Sequence, residues 1–438
     1  MLKVGLISLG CAKNLVDSEL ILGVLNNANV LIVSDPKDAD AIIINTCGFI
    51  ESAKEETIAT ILEMKEFNKK LIVCGCYAER YREKLLTEMP FIDRIITLQE
   101  YPKIHLILQE LFGYEELKFK PMNYETRMLA TSVYTPYVKI SEGCNNRCAF
   151  CAIPLIRGVF RSRFQDEILS EVRLLIQNGA KEINLISQDT TRYGTDLTKD
   201  HQPLLVDLLQ KITQIDGLMM VRILYLYPDE IDDNLLEEIQ KNPKIASYFD
   251  IPIQHISTTL LKKMLRRGSG EEIKLLFAKI KSMIPRAVFR TTLIVGFPGE
   301  TEQDFQELVS FVKKEEFDRL GVFAYSKEED TVAFDYQDQI DEETKQIRLN
   351  EIMKIQKKIA RKKNREEVGH IHETIVEAYD PESLFYYGRS YAFAPDDIDG
   401  YIVFQSLVDL AIGDIVKVKI KDSFGYDLIG DAILESEE

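Results

Sequence analysis

From the first residue onward, apolar runs short enough to be strands alternate with longer segments of helical period. Residues 1–112 read KVGLISL, VDSELILGVL, AIIINT, IESAKEETIATILEMK, LIVCGC, a polar helix and RIITL. Strands alternating with helices predict a parallel sheet in an open α/β domain. Residues 113–132 are polar and hold no period, as a linker does. Six more strand candidates follow, YVKIS, EINLIS, VRILYLY, SYFDIPI, FRTTLIVG and LGVFAYS, with helical segments such as DEILSEVRLLIQNG and EQDFQELVSFVKK between them. Six β/α units predict a partial barrel of parallel strands, with its chemistry at the C-terminal strand ends. A charged helical run over 341–368 closes this second unit, which spans 133–368. Over 369–438, segments such as GYIVFQ and DIVKVKI, broken by Gly, Pro and Asp, predict a small antiparallel β-barrel.

With 45% hydrophobic and 29% charged residues, the composition is that of a soluble globular protein, and no run approaches the ~20 apolar residues of a membrane span. MLKVGLISLG is too short and too weakly basic to read as a secretory signal, so the expected compartment is the cytoplasm. In a reducing compartment seven cysteines point to metal binding or catalysis rather than disulfides, and the odd count leaves one over. The net charge of -17 argues against broad nucleic-acid binding and fits a basic partner better.

The sharpest chemical signal is EGCNNRCAFC, where Cys144, Cys148 and Cys151 stand at C-x-x-x-C-x-x-C spacing directly after the first barrel strand. One local loop of this kind wraps one cubane. Three thiolates on a 4Fe-4S cluster leave one iron open, where a substrate's amino and carboxylate groups can chelate. The alternative is structural zinc, which is usually closed by a fourth Cys or His, and no His lies near this loop. In the first unit Cys11 follows KVGLISLG, Cys47 follows AIIINT and Cys76 closes LIVCGC, so all three stand at C-terminal strand ends. Those ends converge on one crevice in an open parallel sheet. Inert buried thiols are the other reading. Cys74 lies within its strand, ahead of Gly75, and reads as the spare.

The cysteine spacing and its place after the first strand resemble the radical S-adenosylmethionine (SAM) superfamily over roughly residues 132–365. The resemblance implies reductive cleavage of SAM at the open iron to a 5'-deoxyadenosyl radical, which abstracts hydrogen from an unactivated carbon. Taken with SLGCAKNLVDSE, NTCGFI and the GC at the third strand end, the chain is similar nearly end to end to the methylthiotransferases. That implies an N-terminal methylthiotransferase domain, a radical SAM barrel and a C-terminal domain of the TRAM type. KNLVDSE around Lys13 and Asp17, SQDTTRYG from Ser187, and DIPIQH from Asp250 to His255 resemble the branch that modifies a ribosomal protein. The branch converts a C–H bond at the β-carbon of one aspartate in the twelfth small-subunit ribosomal protein into C–SCH3, one SAM giving the methyl and another the radical. By position, Cys11, Cys47 and Cys76 would hold an auxiliary 4Fe-4S cluster that carries the sulfur, and Cys144, Cys148 and Cys151 the SAM cluster. A low-potential donor such as flavodoxin or ferredoxin would supply the electron. Cys74 is extra to the family pattern and would compete for the auxiliary iron.

Further candidates stand at the barrel's strand ends. Phe150 is placed to pack on an adenine or in the core. Gln188 and Asp189 follow the second strand, where a polar pair either binds SAM or caps the loop. Gln254 and His255 follow the fourth, to orient substrate or to serve structure. Gly296, Gly299 and Glu300 follow the fifth, where glycine admits a flat adenine or simply makes a turn. Residues 369–438 carry 15 Asp and Glu against 4 Lys and Arg, a surface that repels RNA and attracts a basic ribosomal protein, free or in the assembled subunit. Membrane partners are not expected. Competing readings are a tRNA adenosine methylthiotransferase, whose last domain should be basic, and a non-catalytic iron-sulfur scaffold or electron-transfer protein, which needs no open iron.

Overall fold

The computed structural model describes residues 1–113, 117–396 and 398–433. Residues 114–116 of the linker-like stretch, and residue 397 and residues 434–438 of the terminal unit, lie outside the described residues. The first unit is a five-stranded parallel sheet. Its strands β1 (Lys3–Ser8), β2 (Leu31–Ile32), β3 (Ala41–Thr46), β4 (Lys70–Gly75) and β5 (Arg94–Ile96) run in the order β2-β1-β3-β4-β5. Alternate residues of these largely apolar strands feed two cores. Ile43 and Ile72 meet Ile21 and Val24 of α1 (Ala12–Asn27) on one face, while Ile42, Ile44 and Val73 meet Ile61 and Met64 of α2 (Glu51–Lys65) on the other. The edge strand β2 was not predicted, because two residues are too few to show a period.

The six predicted barrel strands all form. In chain order the central unit has β6 (Tyr137–Lys139), β7 (Ser141–Glu142), β8 (Arg161–Ser162), β9 (Glu182–Ile186), β10 (Met220–Ile223), β11 (Tyr248–Asp250), β12 (Val288–Val295) and β13 (Arg319–Ala324). Strands β6, β9 and β10 make one parallel sheet and β11, β12 and β13 another; Leu226 N–H to the Asp250 carbonyl (2.8 Å) and Ala246 N–H to the Val221 carbonyl (2.9 Å) join them. The result is a partial barrel. The two-residue ladder β7–β8 is antiparallel and ties the base of the loop that carries the second cysteine group.

The third unit closes as a five-stranded barrel, β14 (Ile371–Asp380), β15 (Phe385–Arg389), β16 (Ile402–Gln405), β17 (Ile415–Phe424) and β18 (Asp427–Ile433), in the order β14-β15-β16-β18-β17. Its pairings are antiparallel except β16 beside β18. This barrel sits under the N-terminal ends of the central strands: Tyr137 and Tyr248, which open β6 and β11, donate to Asp396 (2.6 Å) and Asp399 (2.5 Å). Beside them Glu182, fully buried at the start of β9, accepts from Arg222 (2.7 Å) and from Arg389 (3.1 Å).

The sheet unit covers the opposite, C-terminal ends. Glu328, beyond β13, is buried between Lys54 (3.2 Å) and Arg80 (2.7 Å), and at the other side Asp17 of α1 meets Lys139 of β6. One apolar cluster therefore draws on all three units, with Val16 and Leu20 of α1, Tyr137, Ile186 and Tyr248 of the central strands, and Ala394 of the terminal unit. The described part of the linker-like stretch is built into this body. Phe119 joins the core beneath α1, and buried Arg127 is paired with Glu19 and Glu171. Among the described residues, no helix is long and apolar enough to cross a membrane.

Candidate active site

In a sheet ordered β2-β1-β3-β4-β5, the chain reverses direction of growth between β1 and β3, and the crevice opens at the C-terminal ends of those two strands. Cys11 is the residue before α1, Cys47 directly follows β3, and Cys76 begins α3 (Cys76–Arg80) one residue after β4. The fold thus places all three thiols around the crevice, close enough that Cys47 feels Cys11 and Cys76 feels both. Burial pushes the Cys47 thiol up and Cys76 up to about 12, while Arg157 pulls both back down.

Two glycines make this close approach feasible. At Gly10 (φ 90°) a Cβ would lie 2.9 Å from Cys47 Sγ, and at Gly75 (φ 92°) one would lie 2.3 Å from Asn45 Oδ1. Gly75→Ala should therefore cost at least about 1–3 kcal/mol in urea denaturation of the cluster-free protein, since both the left-handed backbone and the contact oppose it. An unchanged midpoint would mean the turn can be rebuilt without strain. Cys74, one residue earlier, points the other way. It is fully buried in the core under α1, at the Tyr101 hydroxyl, and burial lifts its thiol to about 12.

The second group occupies the loop fixed by β7 and β8. Cys144 N–H bonds to the Gly158 carbonyl (3.2 Å), and Asn146 N–H points at Cys144 Sγ (3.5 Å). Burial raises Cys144 to about 11 against that N–H, and it raises Cys151 as well, with Cys148 adding its charge to both. Cys148 Sγ lies 3.7 Å from Tyr227 Oη and 3.9 Å from Arg266 Nη1. All seven cysteines are free thiols. Among the described residues, no three Cys, His, Asp or Glu side chains close in tightly enough to hold a single metal ion.

The remaining candidates line the same strand ends. Asp189 is buried and accepts from Asn146 Nδ2 (2.7 Å) and the Thr191 hydroxyl (2.7 Å), which ties the cysteine loop to β9. Gln188 donates to Glu142 (2.7 Å). Phe150 stands edge-on to Phe297 at 6.5 Å. Lys345 takes the space that a side chain at Gly296 would fill, and Gly299 faces Lys263 and Asp338. Buried Glu300 accepts from Gly296 N–H and pairs with Arg348 (3.2 Å). Gln188 Oε1 and Gln254 Oε1 are buried here with no hydrogen-bond partner, while His255 Nε2 and Glu300 Oε1 face each other at 3.5 Å.

Sequence reasoning missed the polar layer between the two thiol groups. Asn14 Nδ2 donates to the Leu9 carbonyl (2.6 Å), pinning the turn before Cys11. Lys139 donates to Asp17 (2.5 Å) and Glu142 (2.7 Å). Arg157 Nη1 donates to Asp17 (2.6 Å) and Glu142 (3.2 Å), and its Nη2 to Asn14 Oδ1 (3.2 Å) and Cys76 Sγ (3.1 Å). Burial alone would raise Glu142, but Lys139 and Arg157 outweigh it and hold the carboxyl at about 2. The available signal was in α1, where Asn14, Asp17, Ser18 and Glu19 interrupt a helix that is buried nearly all round.

A partial barrel of six parallel strands with three thiols in the loop after its first strand is the architecture of radical SAM proteins, and residues 138–312 match the family model described as the Radical SAM superfamily. Residues 3–97 match the uncharacterized protein family UPF0004, and residues 368–433 the TRAM domain. Among solved structures, the radical SAM methyltransferase TsrM from Kitasatospora setae, with tryptophan and a SAM analog bound, shares the fold at TM-score 0.53 and 14% identity, over 74% of this chain and 73% of that one. The ribosomal protein uS12 methylthiotransferase RimO of Acetivibrio thermocellus is 46% identical over 100% of this chain and 99% of its own length. The RimO proteins of Caldicellulosiruptor saccharolyticus and Clostridioides difficile are 46% and 44% identical, each over 99% of this chain and 100% of their own. The chain belongs to the RimO family of methylthiotransferases.

Proposed function

We propose that this protein inserts a methylthio group at the β-carbon of an aspartate in ribosomal protein uS12. The observation that carries the reading is the pair of thiol trios, one in the sheet crevice and one in the barrel loop, linked by Arg157, which follows the barrel loop and reaches Cys76 Sγ. Cys11, Cys47 and Cys76 would hold one 4Fe-4S cluster and Cys144, Cys148 and Cys151 the other, each with an iron left open. The donor sets fit: thiols that burial keeps protonated give up their protons on binding iron, which offsets that cost. When bound, the clusters and SAM supply the one-electron chemistry, the sulfur and the methyl group.

The protein's own side chains would do the rest. The orphaned Gln188 and Gln254 oxygens at the strand ends suit a ligand rich in hydroxyl and amino groups, such as SAM, because each otherwise costs on the order of 1–3 kcal/mol. Phe150, Gly296 and Glu300 border that space, while Asp189 holds the loop beneath it. The sheet unit, clamped at Glu328 and at Asp17, would cover the barrel's strand ends. Units divided at 1–112, 133–368 and 369–438 would serve sulfur supply, radical generation and substrate docking. The acidic last unit suits a basic protein rather than tRNA. The protein would work in the cytoplasm with a flavodoxin or ferredoxin as donor.

Mass spectrometry of uS12 and of bulk tRNA nucleosides, from cells with and without the gene, tests the reading. Loss of an added SCH2 mass from uS12 alone is the expected result. Loss of a methylthio-adenosine from tRNA, with uS12 unchanged, would overturn the substrate.

A further inference from the structure

Arg157 belongs to the barrel unit but bonds to a thiol of the sheet unit. It ends the short helix Ile153–Arg157, directly downstream of the barrel cysteines, yet its guanidinium reaches into the sheet unit as far as Cys76 Sγ, at 3.1 Å. Three oxygen acceptors hold it there. Asp17 and Asn14 belong to α1 of the sheet unit and Glu142 to the barrel, so its aim at the sulfur is fixed from both sides. Lys139 and Arg157 together face Asp17 and Glu142, two cations against two carboxylates, with Lys139, Arg157 and Asp17 buried. The arrangement leaves one N–H of a permanently charged group for Cys76, which packs against Ala152 and Ile156 of the barrel loop.

We propose that Arg157 is a positioning residue for the sheet-unit thiol trio: it fixes the Cys76 sulfur toward the barrel and sets how readily a cluster held there accepts an electron. The inference rests on the two-cluster reading above. An N–H bonded to a ligand sulfur stabilises the reduced, more negative state, so reduction potential rises with such bonds and falls when they are removed. Removing the cation also leaves Asp17 and Glu142 less compensated, and their field acts in the same direction. A salt bridge serving only to join the two units would not need a sulfur among its partners.

The test is a potentiometric titration of the reconstituted full-length protein, followed by electron paramagnetic resonance, together with its iron content. The sheet-unit cluster is identified as the signal that survives Cys148→Ala. With Arg157→Gln its midpoint should move to lower potential while the other cluster's stays in place, and Arg157→Lys, which keeps the charge but cannot span Asp17 and Cys76 together, should move it less. Midpoints unchanged in both variants would overturn the proposal, as would an equal shift of both clusters, which marks a general packing defect. Should Arg157→Gln fail to fold, the Arg157→Lys shift alone decides, because a retained ammonium still answers Asp17. A natural protein holding only one cluster would instead sink the two-cluster reading itself, so the two failures are distinct.

Discussion

Cys148→Ala protein, supplied with SAM and a strong reductant, should release no 5'-deoxyadenosine above background, whereas Cys76→Ala protein should still release it but leave uS12 without its methylthio group. The two losses are complete and of different kinds, because the two trios have no side chain in common. Cys148 sits in the loop tied by β7 and β8, against Tyr227 and Arg266, and its removal leaves that loop with two thiols. A three-ligand cubane does not survive such a loss in working form. Cys76 lies across the polar layer, on the sheet, and its loss empties the sulfur-carrying side while the barrel loop is untouched. Cys74→Ala should do neither, since its thiol is packed in the core at Tyr101. Reaction products by chromatography and the mass of uS12 would separate the three variants, and a loss of sulfur insertion in Cys74→Ala with Cys76→Ala active would mean the ligand had been misassigned.

The second large effect lies far from the chemistry. Glu182→Ala should destabilise the protein by about 3–5 kcal/mol, because it leaves the buried Arg222 guanidinium without its carboxylate and Arg389 with Glu377 alone. Burial alone would lift the Glu182 carboxyl above 4.5, but the two arginines outweigh it and hold it lower. A lowered folded value means the contribution is present in full above 4.5 and drains away as pH falls through that lowered value. Urea titration of the cluster-free protein at neutral and at acid pH checks both the size and the sign. A variant as stable as the natural protein would mean water reaches the pair.

The strands were legible because their apolar runs are long and cleanly bounded, and the cysteines because thiols at strand ends carry meaning by position. The same reasoning fails where polar residues are buried by a neighbouring unit. Asp17 and Glu19 of α1 look like a solvent face in the sequence, yet each is paired inside the body, Asp17 with Lys139 and Arg157 and Glu19 with Arg127. Arg127 itself lies in the stretch read as a linker, whose polar composition hid one buried cation answered by two carboxylates. Arg157 gave no periodic or spacing signal at all. Its role depends on where another unit's Cys76 comes to rest, which only tertiary packing decides.

The apolar cluster shared by all three units has a consequence for how the protein is made. Synthesis delivers the sheet unit first, then the barrel strands, and only much later the segment holding Ala394. Until that segment arrives, Tyr137 and Tyr248 have no cover and no partner for their hydroxyls, because Asp396 and Asp399 do not yet exist. The nascent barrel must wait with its floor open, exposed to aggregation and to proteases. A chain broken off before residue 391 thus lacks part of the core that the other two units share, as well as a docking domain.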